Sequence, residues 1–121
     1  MRPQRRVLDA QIRAIKRDLV RLTDLRPGTL TRQYNVCGSP GCRCKAVPPQ
    51  KHGPYYQLSY TRHGKGGTRL VKPENLAPIR TAVANYARLR RLVDRWIDLA
   101  TQLSDLKLQQ RAVAQSPAKR R

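Results

Sequence analysis

The chain has 121 residues, 39% of them hydrophobic and none of them Phe, and its 26 Lys and Arg against 7 Asp and Glu give a formal net charge of +19. No run approaches the roughly 18 apolar residues of a membrane span, and there are too few acids for a two-metal nuclease or transposase centre, which needs converging carboxylates. Self-repulsion of this size is costly unless a polyanion is nearby, and nucleic acid is the commonest such partner.

The first third predicts a helix over about residues 4–25, within a basic N-terminal segment 1–28. Leu8, Ile12, Ile15, Leu19 and Leu22 recur at spacings of four and three, an apolar seam at heptad period. Arg6, Arg13, Lys16, Arg17 and Arg21 fill the other faces. Pro27-Gly28 is expected to end the helix, because the residue before proline is pushed out of the helical region.

Residues 29–73 predict a small β domain. A strand is expected over 30–37 and a clearer one over 55–61, where Tyr56, Leu58 and Tyr60 alternate with Tyr55, Gln57, Ser59 and Thr61. Residues 63–67 read as a turn and 68–72 as the returning strand, giving a three-stranded antiparallel sheet. Its first two strands flank a Gly/Pro-rich loop that holds all three cysteines, Cys37, Cys42 and Cys44, and one of the two histidines, His52. Three thiolates and an imidazole are the ligand set of a closed, structural Zn²⁺ site. Arg43, Lys45 and Lys51 surround it and favour thiolate. Reduced structural cysteines and an iron–sulfur or redox role are the competing readings, and His63 is an alternative fourth ligand. Four protein ligands leave no open position for catalysis. The odd cysteine count and the polar, basic N-terminus, unlike a secretory signal, point to a reducing cytoplasm.

The basic residues of this region are Arg32, Arg43, Lys45, Lys51, Arg62, Lys65, Arg69 and Lys72, interleaved with tyrosines of which Tyr55 is the candidate stacking residue. Cations track phosphates and aromatic faces stack on bases. Segment 29–73 contains no carboxylate, so no catalytic residue is expected and the protein is read as a non-enzyme.

Residues 74–115 predict one long helix, capped by Asn75 and tolerating Pro78 near its start. Leu89, Leu92, Trp96, Leu99, Leu103 and Leu106 form its stripe, with Val83, Tyr86, Val93, Ile97 and Ala100 beside it. Such a helix spans about 60 Å, roughly twice the first one. Antiparallel pairing is expected to leave its C-terminal half uncovered, so Trp96, Leu99, Leu103 and Leu106 become the candidate interface with a second copy or another protein. Residues 116–121 are expected as a short, disordered basic tail.

The string Cys37-Gly-Ser-Pro-Gly-Cys-Arg-Cys44, followed by His52-Gly-Pro-Tyr-Tyr56 and a Gly-Lys turn, resembles a small uncharacterised bacterial family. Its members carry a C-G-x-x-x-C-x-C … H-G-P-Y-Y core between two helices and are often encoded in or near transposons and other mobile elements. The stretches around Pro27-Gly28 and Asn85-Tyr86 fit it too, so the resemblance covers about residues 25–105. It implies a role in mobile-element DNA transactions.

The expectation is therefore an α+β protein: helix, zinc-stapled three-stranded sheet, long helix with coiled-coil-like packing. Its expected function is that of a nucleic-acid-binding accessory protein, DNA favoured over RNA, in recombination or transposition. An RNA-binding or ribonucleoprotein subunit and a protein–protein adaptor are the alternatives.

Overall fold

The structure is a computed structural model that describes residues 3–115. The chain runs through α1 (Pro3–Val20), β1 (Thr29–Asn35), a 3₁₀ turn (Arg43–Lys45), β2 (His52–Arg62), β3 (Lys65–Val71) and α2 (Pro73–Ala114). This is the expected α+β order, with one antiparallel sheet β1-β2-β3. Residues 116–121, expected as a disordered tail, lie outside the described residues. Among the described residues no helix is long and apolar enough to cross a membrane. The chain divides into two compact units: Thr23–Ala87, and the residues up to Leu22 with those from Arg88 onward. Helix α2 contributes to both.

The helical unit is an antiparallel hairpin of α1 with the C-terminal half of α2. Ile12, Ile15, Leu99 and Leu103 form its buried centre, and Leu8, Leu19, Leu92 and Trp96 pack around them. Arg5 donates to Gln110 at one end of the hairpin, and Arg88 stands 3.6 Å from Asp18 at the other. Both members of that ion pair are well exposed, so it adds little. Lys16 lies 5.2 Å above the Trp96 ring.

Two expectations change here. The C-terminal half of α2 is the half that α1 covers, so Leu99 and Leu103, at 4% and 8% exposure, face Ile12 and Ile15 of the same chain rather than a partner. Trp96 belongs to the same cluster, and Leu106 lines a groove with Leu8 and Val7. Any partner of this half of α2 would meet Val93, Ile97 and Leu108, which remain exposed. Helix α1 also stops at Val20, well before Pro27-Gly28. Its last turn tightens through Arg21 and Leu22 N–H bonds to the Asp18 and Leu19 carbonyls. Thr23 and Asp24, poor helix interior residues, are then taken by Asn85, whose Nδ2 donates to Thr23 Oγ1 and to the Asp24 carbonyl, each at 3.0 Å.

In the other unit the register puts Leu30, Arg32, Tyr56, Leu58, Tyr60, Arg62, Lys65, Arg69 and Val71 on one side of the sheet. Leu58 and Val71 are buried there, as is Ala82 of α2, and Arg80 of α2 lies 5.8 Å over the Tyr56 ring. The first turns of α2 therefore cover this side. Thr29, Thr31, Gln33, Tyr55, Gln57, Ser59, Thr61, Gly66, Thr68 and Leu70 share the other. Gly28 leads into β1 at φ +138, and a Cβ there would meet Leu58 Cδ1 and the Ser59 carbonyl at 2.8 Å. That close approach is what Pro27-Gly28 serves, in place of the expected helix stop. The expected five-residue turn shrinks to His63-Gly64, since Arg62 pairs with Lys65. Both turn residues have positive φ, at 54° and 76°, as a two-residue type I′ hairpin requires.

Helix α2 begins at Pro73, two residues before the expected Asn75 cap. Proline suits a first helical position because its missing N–H would be unpaired there. Glu74 places a negative charge in the same turn, where the helix dipole favours it.

Truncating Leu99 to Ala should destabilise the protein by about 2–5 kcal/mol, whereas Ile97→Ala, at a site 56% exposed, should cost far less. Denaturant unfolding of the two variants checks the difference; equal losses would mean that α1 does not cover this half of α2.

Candidate metal centre

The chain between β1 and β2 is poor in packing. From residue 36 to 51 only Cys44 is buried, at 1% exposure, and Cys37 and Cys42 are half-buried. Val36 and Val47, the apolar residues best placed to build a core, are 51% and 98% exposed. What the loop turns inward is thiol.

Local bonding explains the shape. The Cys42 N–H donates to the Ser39 carbonyl at 3.2 Å, and the Lys45, Ala46 and Gln50 N–H groups close turns onto the Cys42 and Arg43 carbonyls. The resulting 3₁₀ turn carries Cys44, with Cys42 immediately before it. This is how a Cys-x-Cys pair, too close for an ordinary Cys-x2-Cys knuckle, comes to one place. Lys45 folds back and donates to the carbonyls of Cys37 and Ser39. His52 opens β2 and pairs with Asn35 at the end of β1, across an irregularity in the ladder between Gln33 and Asn35. Gly53 sits beside that irregularity at φ +134, where a Cβ would stand 2.8 Å from the Gln33 carbonyl.

Four donor atoms converge. Cys37 Sγ and Cys44 Sγ are 3.5 Å apart, Cys42 Sγ and His52 Nε2 are 3.1 Å apart, and all four lie within 4.8 Å of one another. The Cys37 N–H also points at Cys44 Sγ, at 3.4 Å. In a tetrahedral site with metal–sulfur bonds of about 2.3 Å, ligand atoms stand about 3.7 Å apart. The set found here brackets that spacing. Its chemistry, three thiols and an imidazole, is compatible with a soft or borderline divalent ion such as zinc.

The Cys37 thiol is pushed down to about 6, first by a hydrogen bond from the Ser39 backbone and then by the side chains of His52, Cys44 and Cys42. Burial pushes the Cys44 thiol up. The cations expected to favour thiolate act less directly than the sequence suggested: Lys45 binds carbonyls, and it is a backbone donor that leads at Cys37. Neither spacing nor residue type in the sequence marks the loop clasp that Lys45 and Ser39 make. The alternative ligand His63 is not in the cluster; it sits in the hairpin turn at the opposite end of β2.

The other candidate residues separate into groups. Arg43, Lys45 and Lys51 lie on the Cys/His loop, whereas Arg62 and Lys65 flank the hairpin turn at the far end of the strands. Arg32 and Arg69 are on the α2 side of the sheet, at its two edge strands, and Lys72 links β3 to α2. Tyr55 is on the opposite side, 40% exposed.

The chain belongs to the DUF6788 family, a domain of unknown function, which matches residues 5–81. That segment runs from α1 to the early turns of α2 and contains all four donors. No curated protein and no solved structure matches the chain.

In metal-free protein, iodoacetamide should label Cys37, half-exposed and with the lowered thiol, well before buried Cys44. Peptide mass spectrometry reads the order. Equal rates would show that the loop does not hold this arrangement on its own.

Proposed function

We propose that this protein is a non-enzymatic, zinc-stapled nucleic-acid-binding accessory protein, with DNA as the favoured partner. The observation that carries the reading is the placing of a Cys₃His cluster at one end of a small sheet in a chain of net charge +19. Cys37, Cys42, Cys44 and His52 would hold the ion, which supplies a fixed four-way link between loop and strand. With four protein ligands its role is structural. Arg43 and Lys51 at one end of the strands, with Arg62 and Lys65 at the other, supply phosphate contacts that orient the protein without reading sequence. Work in a reducing, cytoplasmic setting suits three free thiols. The likeness of the Cys/His string to proteins encoded near mobile elements supports a place in recombination or transposition.

Elemental analysis of protein purified without added zinc should find one zinc per chain, and Cys42→Ser should lose it together with the loop's protection from proteolysis. A metal-free wild type with an intact loop would discard the site.

Fluorescence anisotropy with duplex DNA, single strands and structured RNA tests the partner. The log affinity for duplex should fall with log salt at about −0.9 per phosphate neutralised. Replacing Arg62 and Lys65 with Ala should flatten that slope by about 2. Tighter binding to RNA would favour a ribonucleoprotein role. No salt-dependent binding to any of the three would favour an adaptor.

A further inference from the structure

Among the described residues, the paired strand positions on the side of the sheet away from α2 carry no charged side chain. Lys and Arg make up 26 of the 121 residues, and alternate positions of the same strands place Arg32, Arg62, Lys65 and Arg69 on the covered side. The open side instead presents Gln33, Gln57, Tyr55, Thr31, Thr68 and Leu70. Tyr55 and Leu70 are 40% and 68% exposed. Gln33 Nε2 donates to Gln57 Oε1 at 2.9 Å. That bond joins two amides across neighbouring strands and, among the described residues, leaves Gln33 Oε1 and Gln57 Nε2 uncommitted. Cations stand at both ends of the strands: Arg43 and Lys51 lie on the Cys/His loop, and Arg62 and Lys65 flank the hairpin turn, the latter two on the covered side by register.

Building on the nucleic-acid reading above, we propose that this open face is a base-reading surface for A·T pairs in the major groove of duplex DNA. The chemistry selects the base pair. Guanine is read by Arg or Lys and cytosine by a carboxylate, and this face has neither. Adenine offers an acceptor and a donor side by side, which a glutamine amide matches, and thymine offers a methyl group that threonine methyls and leucine pack against. The chemistry also selects the nucleic acid. Single strands are held by several stacked aromatics, and here there is one, Tyr55. The major groove of an RNA duplex is too deep and narrow for side chains to read, whereas the DNA groove admits paired β-strands. A second copy of the chain is disfavoured as the occupant, because each copy brings a net charge of +19.

The test uses the full chain and three equal-length duplexes: A·T-rich, G·C-rich, and the A·T-rich duplex with uracil in place of thymine. The wild type should prefer the A·T-rich duplex by roughly tenfold. It should lose part of that preference on uracil, which lacks only the thymine methyl. A Gln33→Ala/Gln57→Ala variant should flatten the preference while keeping its affinity for the G·C-rich duplex. Equal wild-type affinity for A·T and G·C overturns the proposal, as does a preference that survives in a folded double variant. If that variant does not fold, the uracil duplex decides on wild-type protein, and an unchanged affinity there overturns it. Single strands or RNA bound as tightly as duplex also overturn it while leaving the nucleic-acid function standing. Failure to bind any nucleic acid at low salt removes that function itself. A wild-type dimer that the double variant splits would make the face a subunit contact and overturn the proposal.

Discussion

The segment between β1 and β2 depends on four side chains meeting at one point. Ordering a residue costs about 1–2 kcal/mol of backbone entropy, and this loop offers little in return: one buried side chain and a few turn hydrogen bonds. Among the described residues of the loop, only Cys44 is buried to take the place of a core. A donor set of three thiols and an imidazole, drawn in without apolar packing, makes physical sense when something binds all four. The Lys45 clasp and the Ser39 backbone contribute by shaping the approach, as second neighbours of a metal site commonly do. The lowered Cys37 thiol is part of the same arrangement, because donors already surround that sulfur.

Charge is organised as sharply as the thiols are. A net +19 on a small protein repels itself, yet the cations are not spread evenly over the sheet. The period-two alternation of a strand sends neighbours to opposite sides. In β1 it separates Thr31 and Gln33 from Arg32, and in β3 it separates Thr68 and Leu70 from Arg69. A surface meant only to attract a polyanion would gain from arginine on its open side. On the proposed nucleic-acid reading, keeping arginine off that side, while placing cations at both strand ends, would divide the work between attraction and discrimination.

Much of this could be read from the residues. The apolar spacing of Leu8, Ile12, Ile15 and Leu19 marks α1, the alternation around Leu58 marks β2, and the clustering of Cys37, Cys42, Cys44 and His52 marks the loop. The order of elements follows. The rest turns on information that periodicity does not hold. A stripe shows that a helix packs, not which half of a long helix it packs against, so Leu99 and Leu103 passed for a partner interface. Beyond the end of α1, Thr23 and Asp24 bond to Asn85, some sixty residues away in the chain, and no local pattern announces that. The neutral face was hidden because a list of basic residues within a segment ignores which side of a strand each one occupies. Glycines at 66 and 67 look like turn residues in the sequence but serve β3, where Gly67 leaves room for the Tyr60 ring.

The Cys/His site and the open face are linked through strand register. His52 is at once a donor of the cluster and the first residue of β2, five positions before Gln57. It pairs with Asn35, and the ladder absorbs one irregularity before Gln33 meets Tyr55. Gly53 makes that irregularity possible by letting the two backbones touch. A slip of one residue between β1 and β2 would turn every side chain of one strand to the other side, and arginine and leucine would replace glutamine and threonine on the open face. Neither β1 nor β2 has a buried row long enough to forbid that alone, since Leu58 is the only fully buried residue on either strand. His52 meets Cys42 at one end of the pairing, and the His63-Gly64 turn joins β2 to β3 at the other. The cluster thus lies outside the open face, next to the end of the pairing whose register decides which residues that face presents.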